Sequence, residues 1–177
     1  PFVPKTTFEL LEKYAREQQT LHNWELYWPF LKIKLITTPV EALSEIYEMK
    51  EGLENRLITA AERASSFLEF MSLIKTKRYT WTRLQRILTY TLLNFTKAEM
   101  PKSLRPPYIR VLGFNAKGQQ YLRSIKKEKG DLLVSRLAAC QNPLMDIDKR
   151  AAIVHAAALP PEAAIKAQKR EFMPPVV

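Results

Sequence analysis

The chain has 177 residues, 46% of them hydrophobic and 26% charged, which supplies enough apolar sequence for a buried core and excludes a disordered protein. No apolar run approaches the ~18 residues of a membrane span. A single cysteine (Cys140) and two distant histidines (His22, His155) exclude an internal disulfide and a zinc cluster. We therefore expect a cytoplasmic protein without a metal site or a membrane contact. Because Pro1 opens the chain without a signal sequence, we also expect a piece of a longer protein.

The net charge of +10 is concentrated in the middle of the chain. Residues 1–74 carry 8 basic and 11 acidic side chains, residues 75–129 carry 14 and 2, and residues 130–177 carry 6 and 5. A field of one sign attracts polyanions such as nucleic acid or an anionic membrane surface. Since no lipid-directed signal is present, we favour nucleic acid, and an idle basic surface is the plain alternative.

Helical signals fill the first third of the chain. Threonines that can cap a helix precede about residues 7–19, and a second helix is predicted over residues 24–36. Thr38, Pro39 and Glu41 have the pattern of a helix start, with a cap, a proline at the first position and a capping-box acid. We expect a third helix there.

One long helix is predicted before the basic region. Gly52 ends the preceding segment, and apolar residues then recur at helical spacing over residues 53–74. This periodicity indicates a helix that faces the core along its whole length.

The pattern changes after Pro101. A loop rich in Pro and Arg precedes a run typical of a strand at residues 108–114, a helix fits residues 117–128, and a second strand fits residues 132–135. Together these elements predict a small βαβ insertion.

Two further helices are predicted near the end of the chain. The first starts at Asp146 or Asp148, the second starts at Pro160 and Pro161, and a tail follows. The predicted fold class is therefore mainly α: a helical bundle over 1–100, a βα(β) element over 101–136, and C-terminal helices with a tail over 137–177.

The most informative stretch runs from residue 75 to residue 97. On a helical wheel, Leu84, Ile87 and Leu88 share one side, whereas Arg83, Arg86 and Tyr90 share the other. Thr80 can cap this helix, beside three more cations. We predict phosphate contacts here, with Tyr79 or Trp81 as either a base-stacking platform or ordinary packing. The candidate residues in this stretch are Lys75, Lys77, Arg78, Thr80, Arg83, Arg86 and Tyr90.

Another stretch, GFNAKGQQ at residues 113–120, has two glycines at the spacing of a phosphate-binding P-loop. It lacks the Lys and Ser or Thr that a P-loop needs after its second glycine, so Gly118 is better explained by a helix start or close packing. Arg123, Lys126 and Lys127 on the helix that follows extend the candidate nucleic-acid surface or serve as solubilising charges.

No residue pattern predicts a catalytic site. His22 and His155 lack an Asp, Ser or Cys partner at an informative spacing, and His155 lies in an apolar run typical of a core position. Cys140 is typical of a small buried residue. Asp146 and Asp148 are typical of a helix start. We predict no catalytic residue in this chain.

The order of four segments resembles one known family. The segments are EGLENRL (51–57), IKTKRYTWTRLQRILTYTLLN (74–94), YIRVLGFNAKGQ (108–119) and IKK (125–127). They resemble the C-terminal half of the bacterial tRNA(Met) cytidine acetate ligases, a nucleotidyltransferase-like family. The resemblance covers about residues 41–129, and the KTKRYT-x-TRLQR block is its most specific part.

This resemblance implies an enzyme that activates acetate with ATP and acetylates the wobble cytidine of elongator tRNA(Met). It also implies an ATP site on an N-terminal domain with a His-x-Gly-His motif, which this sequence lacks. We therefore expect the chain to be the C-terminal part, which binds tRNA and completes the active site. Its partners would be tRNA and a missing N-terminal nucleotidyltransferase domain, and ATP would be bound by the full-length enzyme only.

Other interpretations stay open. The chain could be a DNA-binding helix-turn-helix protein, or a helical scaffold whose basic face meets an acidic protein or anionic lipid. Within the ligase interpretation, the basic residues could face ATP or acetyl-adenylate instead of tRNA. We expect replacement of Arg83 and Arg86 by Glu to weaken tRNA binding while leaving folding nearly intact.

Overall fold

A computed structural model describes residues 2–18, 21–50, 52–101, 106–135 and 145–176. The chain divides into two compact units, Pro1–Met100 and Pro101–Val177. The first unit is helical, and the second combines helices with a two-stranded parallel sheet. The predicted mainly α fold with a small sheet is thus confirmed. The predicted boundary at residue 136 lies outside the described residues and stays a prediction.

Six α-helices lie in the described part of the first unit. They are α1 (Lys5–Gln18), α2 (Trp24–Thr37), α3 (Val40–Ser44), α4 (Leu53–Arg63), α5 (Phe67–Ile74) and α6 (Trp81–Leu93). Helices α1 and α2 lie close to their predicted ranges, and α6 begins directly after its predicted cap, Thr80. Helices α3, α4 and α5 depart from prediction.

Helix α2 packs against three other helices of the first unit, α4, α5 and α6. Its Asn23 cap accepts hydrogen bonds from the amides of Glu25 and Leu26. Trp24 stacks on Phe67 of α5 with ring centroids 4.8 Å apart. The most buried side chains of the first unit form one apolar core, which includes Leu31, Leu35, Leu43, Leu53, Leu57, Ala61, Phe70, Met71, Ile74, Leu84, Ile87 and Leu88.

The long helix predicted over residues 53–74 is wrong, because the chain breaks between α4 and α5. Ser66 caps α5 by accepting a hydrogen bond from the amide of Glu69. The Glu69 carboxylate in turn accepts from the amide and the hydroxyl of Ser65, and these hydrogen bonds lower the pKa of Glu69. This reciprocal cap supplies partners for amides that a new helix would otherwise leave unsatisfied.

Helix α2 supplies further partners at this break. The Glu25 carboxylate accepts hydrogen bonds from the amides of Phe67 and Leu68, at 3.0 and 3.1 Å, in the first turn of α5. Lys32 donates to the carbonyl of Ala64 at 2.7 Å, and Trp28 donates to the carbonyl of Ser65. Apolar spacing carries no information about such partners, so the periodicity alone missed the break.

Helix α3 is shorter than expected and starts differently. Thr38 is the C-cap of α2, and the N-cap of α3 is Pro39, which makes no side-chain cap bond. The helix ends at Ser44, after which Ile46 forms a bridge with Thr96. Pairing with this distant segment replaces the helical hydrogen bonds that the sequence pattern predicts. Gly52 has a φ of 73°, a left-handed conformation that glycine adopts readily, and it directly precedes α4.

The second unit contains the predicted strand, helix and strand in shorter form. Strand β1 (Ile109–Arg110) pairs in parallel with β2 (Leu133–Val134), and α7 (Ala116–Lys129) connects them. Val134 and Met145 form a small buried cluster with Tyr108 against it.

The predicted strand at residues 108–114 is interrupted because its far end pairs elsewhere. Gly113 bridges Val176, with hydrogen bonds from Phe114 to Val176 and from Val176 to Leu112. The terminal segment, which we predicted as a tail, is therefore attached to the second unit through Val176. A Cβ on Gly113 would lie 3.1 Å from the carbonyl oxygen of Val176, so this close approach favours glycine.

The last two helices are close to prediction. Helix α8 (Met145–Ala157) carries Asp146 and Asp148 in its first turn, and α9 (Pro161–Glu171) starts with a proline. Helices α8 and α9 pack against each other. Cys140 lies outside the described residues. Among the helices described here, none has the length and the apolar character that crossing a bilayer requires.

The α4–α5 break predicts a cost for losing its serine cap. Ser66→Ala removes the acceptor for the Glu69 amide and should lower the free energy of unfolding by about 1 kcal/mol, the usual effect of losing an N-cap. Urea denaturation followed by circular dichroism measures this change. Ser72→Ala, on the exposed side of the same helix, is the matched control and should change stability far less. Equal effects of the two substitutions would contradict the capping role.

Candidate nucleic-acid interface

The connection between α5 and α6, residues 75–80, is held from inside by Tyr79. We call this connection the basic turn. Tyr79 is 6% exposed, and its hydroxyl donates to the carbonyl of Lys50 at 3.2 Å. Its amide donates to the Thr76 hydroxyl. Tyr79 therefore packs into the first unit and is not a free platform for a nucleic-acid base.

Anchoring of Tyr79 leaves the cations of the basic turn on the surface. Lys75, Lys77 and Arg78 are all exposed. These three cations lie within four consecutive positions, with no acidic residue between them, so they produce a local positive field. The structure thus brings together three of the predicted phosphate-contacting residues.

Thr80 caps α6 as predicted. Its hydroxyl accepts a hydrogen bond from the amide of Arg83 at 3.4 Å. The predicted core side of α6 is also confirmed, because Leu84, Ile87 and Leu88 are fully buried. The start of α6 adjoins the basic turn, so its partial positive charge adds to that of the exposed cations.

Arg83 is only partly accessible. Its guanidinium lies over the ring of Tyr79, 4.9 Å from the ring centroid, and the residue is half-buried. This cation–π contact orients the side chain toward the basic turn. Arg83 therefore helps to hold Tyr79 as well as carrying charge.

Arg86 is engaged by an acid that the sequence pattern did not reveal. Its Nε and Nη2 donate to one carboxylate oxygen of Glu48, at 3.1 and 2.7 Å. The hydrogen bond and the charge of Glu48 raise the pKa of Arg86. Glu48 has a φ of 62° and follows α3, 38 residues away in sequence. Arg86 therefore lies on the exposed side of α6, as predicted, but it is paired with Glu48, a partner that the sequence pattern did not indicate.

Tyr90 and Trp81 also pack within the first unit. The Tyr90 ring lies 5.4 Å from both Tyr47 and Phe95, and burial raises the pKa of its hydroxyl. Trp81 is half-buried against the core. Neither ring is presented as an open stacking surface, so the predicted interface depends on charge more than on aromatic contacts.

The remaining predicted residues lie on α7, in the second unit. Arg123, Lys126 and Lys127 are exposed there. At the start of α7, Asn115 accepts a hydrogen bond from the amide of Gly118 at 2.9 Å, and a Cβ on Gly118 would lie 3.1 Å from that of Phe114. Gly118 thus serves a helix start with close packing, as predicted, and the segment does not form a phosphate-binding loop.

The two histidines occupy different surroundings. His22 lies between two tyrosines, with Nδ1 2.6 Å from the Tyr27 hydroxyl and Nε2 2.9 Å from the Tyr14 hydroxyl. Burial raises the pKa of both tyrosines. His155 is exposed on α8, so its expected core position is wrong. Within the described ranges, no three His, Cys, Asp or Glu residues are grouped to hold a metal ion.

The second unit has a pocket of about 340 Å³, and polar residues that line it bond to other residues of the same unit. Arg110 pairs with the Glu171 carboxylate and also donates to the Glu171 carbonyl. Asp148 accepts a hydrogen bond from the Tyr108 hydroxyl. These contacts join the segment around β1 to α8 and α9. Arg110, Asp148 and Glu171 therefore have a structural role.

Comparison with known proteins assigns the chain to a family. The family model described as HIGH Nucleotidyl Transferase matches residues 1–171. The chain belongs to the HIGH nucleotidyl transferase family. Membership rests on nearly the whole chain and not on a His-x-Gly-His run, since the two histidines are followed by Asn23 and Ala156.

Curated relatives with high similarity are named tRNA(Met) cytidine acetate ligase. The protein from Bacillus cytotoxicus is 47% identical over 162 residues, which cover 90% of this chain and 41% of the relative. The protein from Anoxybacillus flavithermus is 42% identical over 178 residues, which cover 98% of this chain and 44% of the relative. The chain therefore spans about two fifths of the length of these relatives.

Two crystal structures of Thermotoga maritima TmcAL share the fold. The apo form has a TM-score of 0.80 at 23% identity, and the form bound with alpha-thio ATP has a TM-score of 0.81 at 24% identity. They cover 98% and 99% of this chain, and 45% and 47% of the respective crystal chains.

One expectation needs correction. We expected a C-terminal region separate from a missing nucleotidyltransferase domain. The comparisons do not support this division, because the model of the HIGH nucleotidyl transferase family matches residues 1–171 of the chain itself.

The Arg86–Glu48 pair predicts that charge reversal at Arg86 affects folding, contrary to our sequence-based expectation. Arg86→Glu places a carboxylate beside Glu48 and should lower the Tm, which circular dichroism can measure. Swapping the two charges, in Glu48→Arg with Arg86→Glu, should recover part of the loss. Lys13→Glu in the exposed Lys13–Glu17 pair is the control. If Arg86→Glu lowers the Tm no more than Lys13→Glu does, the pair has no structural role.

Proposed function

We propose that the chain is part of an ATP-dependent ligase that acetylates the wobble cytidine of elongator tRNA(Met), and that its basic turn binds the tRNA. The similarity to relatives named tRNA(Met) cytidine acetate ligase supports the activity. The activity belongs to the longer protein, because the chain covers 41% and 44% of these relatives. We place this function in the cytoplasm, where tRNA is modified in bacteria.

The observation that carries the RNA-binding role is the burial of Tyr79 beneath three exposed cations. Tyr79 anchors the basic turn from inside, while Lys75, Lys77 and Arg78 are exposed there and no acidic residue lies within the turn. Lysine and arginine bind phosphate oxygens through charge-assisted hydrogen bonds. Each phosphate that they neutralise releases counterions, which favours binding to a nucleic acid.

The geometry favours RNA over duplex DNA as the partner. A DNA-binding helix-turn-helix joins its helices by a turn of about three or four residues, whereas six residues separate α5 from α6 here. The side of α6 that bears Leu84 and Leu88 is buried, and Arg86 on its other side is bonded to Glu48. The longer connection and the pairing of Arg86 with Glu48 therefore favour RNA over a helix-turn-helix contact with DNA.

ATP use is proposed for the whole ligase. The crystal structure of Thermotoga maritima TmcAL bound with alpha-thio ATP is consistent with this proposal. In the chain itself, Gln119 and Gln120 stand where a P-loop would carry its Lys and Ser or Thr. Within this proposal the basic turn contacts tRNA phosphates, and ATP is used by the whole ligase.

A binding titration with elongator tRNA(Met) tests this role. The triple variant Lys75→Gln, Lys77→Gln, Arg78→Gln should bind tRNA at least ~10-fold more weakly than the unmodified chain. The slope of log affinity against log salt should also fall by roughly 0.7 to 0.9 for each lost contact. Fluorescence anisotropy at several salt concentrations gives both quantities.

The control removes three charges elsewhere in the first unit. This control is the triple variant Lys5→Gln, Lys13→Gln, Arg16→Gln, whose three positions lie on α1. It reduces the net charge by the same amount, and its affinity for tRNA should stay much closer to that of the unmodified chain. Duplex DNA and anionic liposomes serve as competitors. If the two triple variants bind tRNA equally well, or if DNA or liposomes displace tRNA efficiently, the proposed role of the basic turn is wrong.

A further inference from the structure

A groove lies between α4 and α5 in the first unit. Its volume is about 340 Å³. It exists because the chain turns back at residues 64–66, which brings the end of α5 beside the start of α4. The lining residues are Asn55, Arg56, Thr59, Ala60, Arg63 and Leu73.

Two arginines on the same side of α4 dominate the groove. Arg56 and Arg63 are seven residues apart, which places them within about 20° of each other around the helix and roughly 10 Å apart along its axis. Both residues are exposed. Within the described part of the chain, neither guanidinium has a hydrogen bond or an ion pair.

The two acids of α4 form no ion pair with these arginines. An oxygen of the Glu54 carboxylate instead lies 3.5 Å from the side-chain amide nitrogen of Asn55. This differs from α6, where Arg86 is bonded to Glu48. The groove thus presents two guanidinium groups without an ion pair among the described residues, and Asn55 and Thr59 are polar residues of the same lining.

We propose that this groove binds phosphate groups of the tRNA backbone, as a second contact beyond the basic turn. The proposal rests on the proposed function for its choice of polyanion. Guanidinium groups bind phosphate oxygens in a bidentate manner, and the Asn55 side-chain amide is a further donor at the same site, whereas the Thr59 hydroxyl already donates to the Asn55 carbonyl. The axial separation of Arg56 and Arg63 suits two phosphates of an extended strand better than one isolated phosphate.

The groove also lies next to the basic turn along the chain. Leu73 forms part of its wall, and Lys75 follows two residues later. Leu73 is 42% exposed, so an apolar surface is available to a ribose or base at this point. A strand that contacts Lys75 can therefore continue into the groove without leaving the first unit.

The test compares three double variants of the 177-residue chain in tRNA titrations at several salt concentrations. Arg56→Gln with Arg63→Gln should weaken binding at least ~10-fold and lower the salt slope by roughly 0.7 to 0.9 for each contact. Lys5→Gln with Lys13→Gln removes the same charge from α1 and should have little effect. Arg56→Lys with Arg63→Lys keeps the charge but loses the bidentate geometry, so its affinity should lie between those of the glutamine variant and the unmodified chain.

A second measurement does not depend on the variants folding. Phenylglyoxal modifies accessible arginines, and mass spectrometry identifies the modified positions. Bound tRNA should protect Arg56 and Arg63 in the unmodified chain, whereas Arg16 on α1 should stay reactive. ATP added in place of tRNA should not protect them.

The outcomes separate this proposal from the proposed function. Suppose that the unmodified chain binds tRNA. If the variant Arg56→Gln with Arg63→Gln binds as well as the variant Lys5→Gln with Lys13→Gln, and tRNA protects neither arginine, the groove proposal is wrong and the basic turn keeps its role. Protection by ATP without protection by tRNA also overturns the groove proposal. If the unmodified chain does not bind tRNA at all, both proposals are wrong.

Discussion

The carboxylate of Glu25 at the start of α5 is the interaction on which the first unit depends. It accepts hydrogen bonds from the amides of Phe67 and Leu68, which a helix start would otherwise leave without a partner in the helix. A carboxylate is also favourable at the positive end of a helix. Because Glu25 lies on α2, this contact fixes α5 against a helix that also packs against α4 and α6. The position of the basic turn, at the other end of α5, follows from it.

The cations in and before α6 differ in whether another residue of the first unit engages them. The sequence around α6 contains no acidic residue, yet Glu48 reaches Arg86 from a segment far away in the chain. Arg83 is held over Tyr79. Lys75 and Lys77 have no side-chain partner among the described residues. A one-signed block in a sequence therefore contains both structural and available cations, and only tertiary contacts distinguish them.

Local physics made some features predictable from the sequence. The buried side of α6 and the Thr80 cap follow from helical periodicity and capping chemistry, and both are confirmed. The parallel pair of strands around α7 was predictable from the alternation of residue types. The break at Ser66 was not predicted, although Ser66 and Glu69 have the spacing of a capping box, because uninterrupted apolar periodicity was given more weight. The Glu48 contact required a left-handed backbone that no local pattern signals.

The break between α4 and α5 accounts for both proposed RNA contacts. A continuous helix over residues 53–74 would carry its last residues away from Arg56, so no groove would form, and its end would lie far from the residues that bury Tyr79. Turning back at residues 64–66 places the short α5 along α4 and brings the basic turn to Lys50, just before α4 begins. The polar residues that stabilise the break, Ser66 and Glu25, therefore determine where positive charge is presented, although neither carries positive charge itself.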